Sequence, residues 1–490
     1  MTTLTLVGKS PLTATTDALI VGVAQPAEKD GTATLVGADL PVEWVTALGI
    51  TGAADETRRV PSPAGVTAPV LILTGLGKAP FSEETLRRAA GAGIREAAGL
   101  KSVALALPTG SEGDVAAVAE GALLAAYSFT RFRSEAEAVA KSTPVETIEL
   151  TGDFARSQRA QGAVERAQIL AAAVHGTRDL TNTPANLLFP ASFADEAKKV
   201  SSGVKGMKVT VLDEKALVAG GYGGLVGVGQ GSARPPRLVK VAYTPAKKGA
   251  PQVALIGKGI TFDTGGISIK PSAGMEEMTM DMAGAAAVLH TVTAAARLAL
   301  PVAVTAYLCL AENMPGSNAQ RPGDVVTIRG GKTVEVNNTD AEGRLVMADG
   351  LVAAIEDGFE TVIDIATLTG AQMVALGTRT AAIMGTDEVR DALFAAAQEA
   401  GEAAWPMPLP EELAAGLKSN VADMKNTADR FGGMCFAGVF LKQFVGDTAW
   451  GHLDIAGPAW NGKAPHGYTP TAGTGYGVRT LLRYLEGLNA

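Results

Sequence analysis

The feature that most constrains this chain is a repeated alternation of short, strongly apolar segments with alanine-rich segments of helical periodicity. The helical segments of the first third are residues 82–99 and 113–129. The apolar runs around them are rich in β-branched residues and predict strands at 17–24, 68–77, 101–108 and 145–152. Strands separated by helices at this spacing favour a mostly parallel sheet with helices on its faces.

The same rhythm resumes in the second half with longer apolar runs. They predict strands at 207–214, 237–245, 252–263, 301–313, 324–336 and 361–370. Runs without polar alternation are typical of buried strands in a parallel sheet. Between the halves lies a long helical pattern, 154–182, which ends where Pro184 and Pro190 prevent its continuation.

These patterns together predict an α/β fold with two α/β domains. A length of 490 residues exceeds what one core usually supports. We expect a smaller N-terminal mixed-sheet domain over residues 1–152 and a linking helix over 153–182. We expect a larger C-terminal catalytic domain, with a mostly parallel central sheet, over 183–490.

The composition argues against a general binder of nucleic acid or anionic membranes and against a disulfide-rich protein. Hydrophobic residues make up 47% of the chain and charged residues 19%, as in a globular protein with a large interior. The formal charge of −8 gives no general attraction for nucleic acid or anionic membranes. The two cysteines, Cys309 and Cys435, lie far apart in apolar surroundings, so we expect buried, reduced thiols rather than a disulfide framework.

The sequence also gives no indication of a signal peptide or of a membrane-spanning segment. The first 24 residues lack the basic start and continuous apolar core of a signal peptide. The most apolar long region, 283–311, is interrupted by a histidine, an arginine and a proline, so we expect no membrane span there. A cytoplasmic location is the resulting expectation.

Charged and polar residues collect where the predicted strands end, which is where open α/β sheets bind ligands. The segment "NNTDAEGRLVMADG" at 337–350 concentrates two acids and an arginine within five positions. Three strand ends together supply the candidate site residues Lys258, Asp263, Lys270, Asp281, Asp340, Glu342, Arg344, Thr367, Leu368 and Gly370.

If these strand ends are neighbours, at least four carboxylates meet there. Such carboxylates repel one another and raise one another's pKa values, and divalent cations are the natural compensation. The alternative, surface acids in separate salt bridges, stays open on the residues alone. The four histidines form no H-x-x-x-H pair, which excludes a histidine-based zinc peptidase site. For Lys258, the residues alone favour a salt bridge over a metal-ligand role.

Three segments resemble the leucyl aminopeptidase family of cytosolic di-metal exopeptidases. "NTDAEGRL" at 338–345 matches the family's signature octapeptide, and "GKGITFDTGGISIKP" at 257–271 and "MDMAGAAAV" at 280–288 are similar to its other site segments. "TNTPANLLFP" resembles the start of its catalytic domain and "TLTGA" its substrate-side loop. The specific motifs cover about the last 310 residues; over the first third the likeness rests on length and α/β rhythm.

The resemblance implies a set of metal ligands at the matching positions. Asp263 and Glu342 are expected to bridge two divalent ions, with the side chain and main-chain carbonyl of Asp340 completing one site. Lys258, as a neutral amine, and Asp281 are expected to complete the other. The implied ions are Zn²⁺ or Mn²⁺, with Mg²⁺ as a further candidate.

The resemblance also implies roles around the metals. Lys270 is expected to remain a cation that polarises the substrate carbonyl, and Arg344 to hold a bicarbonate that acts as base. Met278 is expected to line the pocket for the first side chain of the substrate, with a plain core methionine as the alternative. The remaining expected substrate contacts are Asn338, Thr367, Leu368 and Gly370.

The implied function is a metal-dependent aminopeptidase that releases N-terminal leucine and other apolar residues from peptides through a water held between the two metals. A homohexamer is implied as well. The alternative is a DNA-binding regulatory protein of the same family, against which the acidic charge balance argues.

Overall fold

The computed structural model describes residues 2–28, 31–41 and 43–488. They form two compact units. The first contains residues up to His175 together with Asn461–Thr471, and the second contains Gly176–Trp460 and the residues from Ala472 onward. The predicted domain limits, 1–152, 153–182 and 183–490, stay a prediction.

The first unit is built around a seven-stranded mixed sheet. Its strands are β1 (Thr3–Val7), β2 (Ala18–Ala24), β3 (Thr34–Val36), β4 (Thr57–Pro61), β5 (Val70–Gly77), β6 (Ser102–Ala106) and β7 (Thr147–Thr151). The order is β1-β7-β6-β2-β5-β4, with β3 beside β2. The row from β1 to β5 is parallel, while β4 and β3 pair antiparallel. Each of the four strands predicted in this part of the chain is present.

Both predicted helices of this unit begin at serine caps. The Ser82 side chain accepts a hydrogen bond from the Thr85 nitrogen, and Ser111 forms a reciprocal capping box with Asp114. The long helix predicted over 154–182 is also observed. The helices are α1 (Glu43–Leu48), α2 (Glu83–Glu96), α3 (Glu112–Ala125), α4 (Ala136–Ser142) and α5 (Gln158–Asn182).

The second unit contains a larger, eight-stranded sheet. Its strands run in the order β16-β15-β18-β14-β10-β11-β9-β8, and β18, β14, β10 and β11 at its centre are parallel. These eight strands are β8 (Met207–Leu212), β9 (Arg237–Tyr243), β10 (Gln252–Asp263), β11 (Ala303–Asn313), β14 (Thr361–Ala366), β15 (Ala381–Gly385), β16 (Ala404–Pro406) and β18 (Ala449–Asp454). The shorter strands are β12 (Asp324–Thr327), β13 (Thr333–Val336), β17 (Met424–Lys425), β19 (Trp460–Asn461) and β20 (Ala472–Gly473).

Helices flank this sheet. They are α6 (Pro190–Ser201), α7 (Glu214–Ala219), α8 (Gly223–Gly229), α9 (Ala283–Arg297), α10 (Gly343–Glu356), α11 (Gly370–Leu376), α12 (Asp387–Ala400), α13 (Gly433–Lys442) and α14 (Val478–Gly487). Short 3₁₀ helices occupy Pro11–Thr13, Asp153–Arg156, Met275–Met282 and Glu411–Leu417. Within the described ranges, no helix is long and apolar enough to cross a membrane.

The α/β class with mostly parallel sheets is therefore as predicted, but two strand predictions are wrong in detail. Residues 324–336 form a hairpin, β12 and β13, in a separate three-stranded sheet, because Gly330 and Gly331 adopt positive φ angles and reverse the chain. Strands β8 and β9 pair antiparallel at one edge of the large sheet rather than within its parallel centre. Alternating burial along β8 fits that edge position.

Small residues let two helices approach the central strand β10 closely from opposite faces. A Cβ added at Gly257 would lie 2.5 Å from the Ala285 Cα of α9. On the other face, a Cβ added at Gly350 of α10 would lie 2.8 Å from the Ile256 Cγ2 atom. Because Asp281 and Glu342 immediately precede these two helices, the close approach brings both acids towards the same strand end.

We predict that Gly284→Ala destabilises the second unit. The added Cβ would clash with the Ile365 carbonyl oxygen and lie 3.0 Å from the backbone nitrogen of Lys258. Overpacking of this kind usually costs about 1–3 kcal/mol, measured here by denaturant unfolding.

Gly162→Ala is the matched control, because an added Cβ there meets nothing within 4 Å inside α5. That substitution should stabilise by roughly 0.5–1 kcal/mol. Equal effects of the two substitutions would show that α9 does not depend on close backbone contact with the sheet.

Candidate metal centre

Two neighbouring strands of the large sheet, β10 and β14, and two segments outside that sheet supply the candidate residues. Lys258 and Asp263 lie on β10, whose partners are β11 and β14. Asp281 lies at the end of the 3₁₀ helix Met275–Met282, just before α9. Asp340 and Glu342 belong to an irregular segment, residues 337–342, which joins β13 to α10 and is called the acidic loop below. The acids therefore meet beyond the end of β10, but β13, which leads into the acidic loop, belongs to the separate three-stranded sheet and not to the predicted edge of the large one.

The acids of the acidic loop meet Asp263. Asp263, Asp340 and Glu342 each offer a carboxylate oxygen, and the three oxygens lie within 4.8 Å of one another. Asp263 and Glu342 are buried, whereas Asp340 is partly exposed. The Lys270 Nζ lies 2.8 Å from Asp263 Oδ2 and also contacts Asp340. Three oxygens at this separation can converge on a divalent cation.

Lys258 connects this cluster to the fourth acid. Its buried Nζ lies 2.9 Å from Asp281 Oδ1 and 2.9 Å from Glu342 Oε1, and donates to the Thr367 carbonyl oxygen at 2.9 Å. The other oxygen of Asp281, Oδ2, is buried without a hydrogen-bond partner among the described residues. A buried carboxylate oxygen of this kind is suited to a cation.

The electrostatics show a shortage of positive charge. Burial and the neighbouring acids raise the pKa of Asp281 to about 8, although Lys258 opposes the rise. Burial, and then the charge of Asp263, also raises the pKa values of Glu342 and Asp340. Among the described residues, four carboxylates face the ammonium groups of Lys258 and Lys270, so additional cations would stabilise the ionised acids.

Burial lowers the pKa of Lys258, but the charges of Asp281, Glu342 and Asp263 outweigh it and raise the pKa above its usual value. That direction opposes a neutral amine. It reflects a cluster balanced by lysines alone, and divalent cations beside the amine would act in the opposite sense. The oxygen-rich donor set fits divalent metal ions.

Arg344 lies in the first turn of α10 and is buried. Its Nη1 donates to the Asn426 carbonyl oxygen at 2.6 Å, and its Cζ lies 5.9 Å from the centre of the Phe440 ring. Burial lowers the pKa of Arg344 to about 10, so the guanidinium stays charged at neutral pH. Its Nε has no hydrogen-bond partner in the part of the chain that the structure describes.

Two of the predicted substrate contacts, Thr367 and Asn338, form hydrogen bonds with acids of the cluster. The contacts of all five residues with substrate stay predictions. Thr367 Oγ1 donates to Asp281 Oδ1 at 2.7 Å, and the Leu368 nitrogen donates to Asp454 at 3.1 Å. The Asn338 side chain accepts from the Asp340 nitrogen at 2.9 Å. Met278 lies partly buried in the 3₁₀ helix before Asp281, and Gly370 begins α11.

Sequence reasoning missed two buried asparagines beside the acids. Asn313 ends β11 opposite Asp263, and its Nδ2 donates to Asp263 Oδ1 at 2.8 Å and to the Thr339 carbonyl oxygen at 3.0 Å. Its position at a strand end was an available signal. Asn426 contacts the acidic loop from a segment more than eighty residues away, and no local pattern identifies it.

Family models match most of the chain. The model described as the cytosol aminopeptidase family, catalytic domain, matches residues 175–482, and the N-terminal domain of the same family matches residues 20–136. A probable cytosol aminopeptidase of Rhodococcus jostii is 52% identical over 453 residues, covering 92% of this chain and 89% of the relative. One from Streptomyces coelicolor is 49% identical over 513 residues, covering 99% and 98%.

Two solved structures are similar to this chain over nearly its whole length. The bottromycin maturation enzyme BotP in complex with Mn superposes with a TM-score of 0.86 and 37% sequence identity, covering 97% of this chain and 100% of that one. A mutant tomato leucine aminopeptidase gives a TM-score of 0.87 and 32% identity, covering 99% and 97%.

We predict that Mn²⁺ stabilises the protein against unfolding through these acids. A ligand that binds only the folded state at a hundred times its Kd contributes about 2.7 kcal/mol per site. Glu342→Gln should lose most of this gain, because it removes a charge from the centre of the cluster. The measurement is thermal unfolding with and without Mn²⁺.

The control is Glu276→Gln, which changes an exposed acid close in sequence to Asp281. It should retain the full Mn²⁺ effect. The assignment of the cluster is contradicted if Mn²⁺ stabilises Glu342→Gln as much as it stabilises the wild type.

Proposed function

The chain belongs to the cytosol aminopeptidase family and is a metal-dependent aminopeptidase, and on this premise we propose how its residues carry out the reaction. The observation that carries the proposal is the buried acidic cluster: Asp263, Asp340 and Glu342 converge within 4.8 Å, and Lys258 joins them to Asp281. In the proposal, these five residues hold two divalent cations.

The hydrogen bonds within the cluster support a different proposed role for each of its residues. Asp263 Oδ1 already accepts from the Gly265 nitrogen at 2.9 Å and from Asn313 at 2.8 Å. Its Oδ2 contacts the Lys270 ammonium at 2.8 Å and would be the oxygen available to a cation. We propose that Asp263 and Glu342 would contribute to holding both cations. Asp340, through its side chain and carbonyl oxygen, completes one site. Lys258 and Asp281 complete the other, and the unpartnered Asp281 Oδ2 supports this role.

When bound, such a pair of cations supplies Lewis-acid chemistry, polarising a carbonyl and lowering the pKa of a water molecule. The protein's own cations complete the charge distribution. Lys270 is a partly buried ammonium in contact with Asp263 and Asp340. Burial lowers its pKa, but the charge of Asp263 then raises it to a net value above the usual range, which keeps it positive. We propose that it stabilises the oxyanion that develops on the scissile carbonyl.

Arg344 is proposed to hold the anion that acts as base, with bicarbonate the candidate. A buried, charged guanidinium whose Nε has no described partner supports anion binding. Thr367 and Leu368 directly follow the strand β14, and Thr367 donates a hydrogen bond to Asp281. Met278 lies in the 3₁₀ helix that leads to the same acid. We propose that these residues, together with Asn338 and Gly370, bind the first residue of the substrate and favour leucine and other apolar side chains.

Several properties remain proposals that follow from family membership alone. They are Zn²⁺ or Mn²⁺, with Mg²⁺ as a further candidate, as the bound ions, a homohexameric assembly and a cytoplasmic location. The alternative of a DNA-binding regulator gains no support from the relatives and solved structures named above.

We predict that the enzyme requires a free α-amine on its substrate. The proposed position of the substrate amine is beside Asp281 and a cation. Acetylation delocalises the lone pair that would bind the cation and removes an N–H group that Asp281 would accept. The value of kcat/KM for N-acetyl-leucyl-p-nitroanilide should fall at least about a hundredfold below that for leucyl-p-nitroanilide, a loss of about 2.7 kcal/mol. Rates within roughly threefold of each other would indicate a different hydrolase.

We predict that the two lysines of the cluster respond differently to removal. Lys258→Ala should bind one cation per chain under conditions where the wild type binds two, because the side chain is proposed as a ligand. Lys270→Ala should keep both cations and lose about 10²- to 10³-fold in kcat, as expected for loss of a preorganised charge. The measurements are metal analysis after dialysis and steady-state kinetics.

The control for both is Lys247→Ala, which alters an exposed lysine of the same unit. It should match the wild type in both measurements. If Lys270→Ala loses a cation while Lys258→Ala retains two, the proposed roles are reversed.

A further inference from the structure

Asn426 occupies an unusual position next to the acidic loop. It is fully buried and follows the two-residue strand β17, which pairs in parallel with β13. Its backbone nitrogen donates to the Glu335 carbonyl oxygen at 3.0 Å and so extends that pairing by one hydrogen bond. Since β13 runs directly into the acidic loop, Asn426 lies where a partner strand would continue if the loop were extended.

The side chain takes over the hydrogen bonds that such a strand would make. Its Oδ1 accepts from the backbone nitrogens of Asn337 and Asn338, at 2.9 and 3.4 Å. Its Nδ2 donates to the carbonyl oxygens of Asn338 and Ala341, at 2.7 and 3.3 Å. One amide therefore contacts the backbone on both sides of Asp340. An irregular buried segment needs partners of this kind for its polar groups.

The main chain of the same residue contacts a second functional group. The Asn426 carbonyl oxygen accepts the Arg344 Nη1 hydrogen bond at 2.6 Å. Arg344 lies two residues after Glu342, in the first turn of α10. Asn426 thus connects the loop that carries Asp340 to the guanidinium, although it lies more than eighty residues from both in sequence.

We propose that Asn426 is a positioning residue that fixes the acidic loop so that Asp340 can hold its cation while Arg344 stays aligned beside it. The inference rests on the proposed roles of Asp340 and Arg344. It differs from a packing role, because the contacts are directed hydrogen bonds to loop backbone rather than apolar contacts within the core. Residues that orient metal ligands typically change metal affinity or activity by about 10- to 100-fold when they are replaced.

The test compares Asn426→Ala and Asn426→Asp with Asn420→Ala, which removes an exposed amide from the same segment. Bound Mn²⁺ per chain is measured by equilibrium dialysis over a series of free Mn²⁺ concentrations, and kcat, KM and the unfolding temperature are measured in parallel. Asn426→Ala should raise the free Mn²⁺ needed for the second bound equivalent by about 10- to 100-fold and leave the first unchanged. The kcat should fall about tenfold or more, with KM within roughly threefold.

Asn426→Asp provides a second variant of nearly the same volume. It keeps the acceptor oxygen for Asn337 and Asn338, but places an oxygen in place of Nδ2, opposite two carbonyl oxygens. It should weaken the second Mn²⁺ equivalent at least as much as the alanine variant does, and it decides the question if the alanine variant does not fold. Asn420→Ala should bind Mn²⁺ as the wild type does.

The proposal is overturned if the folded Asn426 variants bind both Mn²⁺ equivalents with wild-type affinity and retain kcat while only the unfolding temperature falls. That outcome would assign Asn426 a structural role alone. Failure of the proposed function gives a different result, in which the wild type itself binds no Mn²⁺ or cleaves leucyl-p-nitroanilide equally well without it.

Discussion

Mutual repulsion among four acids at the carboxyl edge of the large sheet is the constraint on which the rest of the site depends. Asp263, Asp281 and Glu342 are buried, and Asp340 is partly so. Burial, and then the charges of Asp263 and Glu342, raise the pKa of Asp281 above its usual value, although Lys258 lowers it. Two ammonium groups compensate only part of that charge, and a pair of divalent cations would compensate the remainder. The same excess of negative charge that disfavours the isolated cluster therefore makes it a strong cation site.

The fold holds the acids together by contacts that do not themselves involve charge. Small residues let α9 and α10 approach β10 from opposite faces, and each helix carries one acid at its beginning. The acidic loop is held by side-chain amides, Asn313 on the Asp263 side and Asn426 on the Arg344 side. Rigid backbone contacts and satisfied backbone groups fix the positions of the carboxylates, so the repulsion between them cannot simply push them apart.

Much of this arrangement could be predicted from the sequence. The apolar run before Asp263 predicts a buried strand, and a polar cluster at its end predicts a site there. Local motifs also identified Asp281, Asp340 and Glu342. By contrast, the run of β-branched residues at 324–336 predicts one strand, whereas the paired glycines within it make the segment a hairpin. The remaining contacts of the site could not be predicted, because they join segments that are distant in sequence. Asn426 contacts the loop from a remote segment, and a single sequence carries no signal for such a contact.

Lys258 shows why residue patterns alone do not predict the chemical role of a side chain. Its position on β10 predicts contact with acids, and the structure gives it three partners. Whether it is an ammonium or a neutral ligand depends on the cations next to it. Crystals soaked in Mn²⁺ and measured at an energy that reveals the anomalous signal of manganese test this point most directly. The account predicts two peaks roughly 3.5–4 Å apart, both in contact with Asp263 and Glu342, and Lys258 Nζ bonded to one of them. A single peak, or two peaks with Lys258 still paired to Asp281 and distant from both, would contradict it.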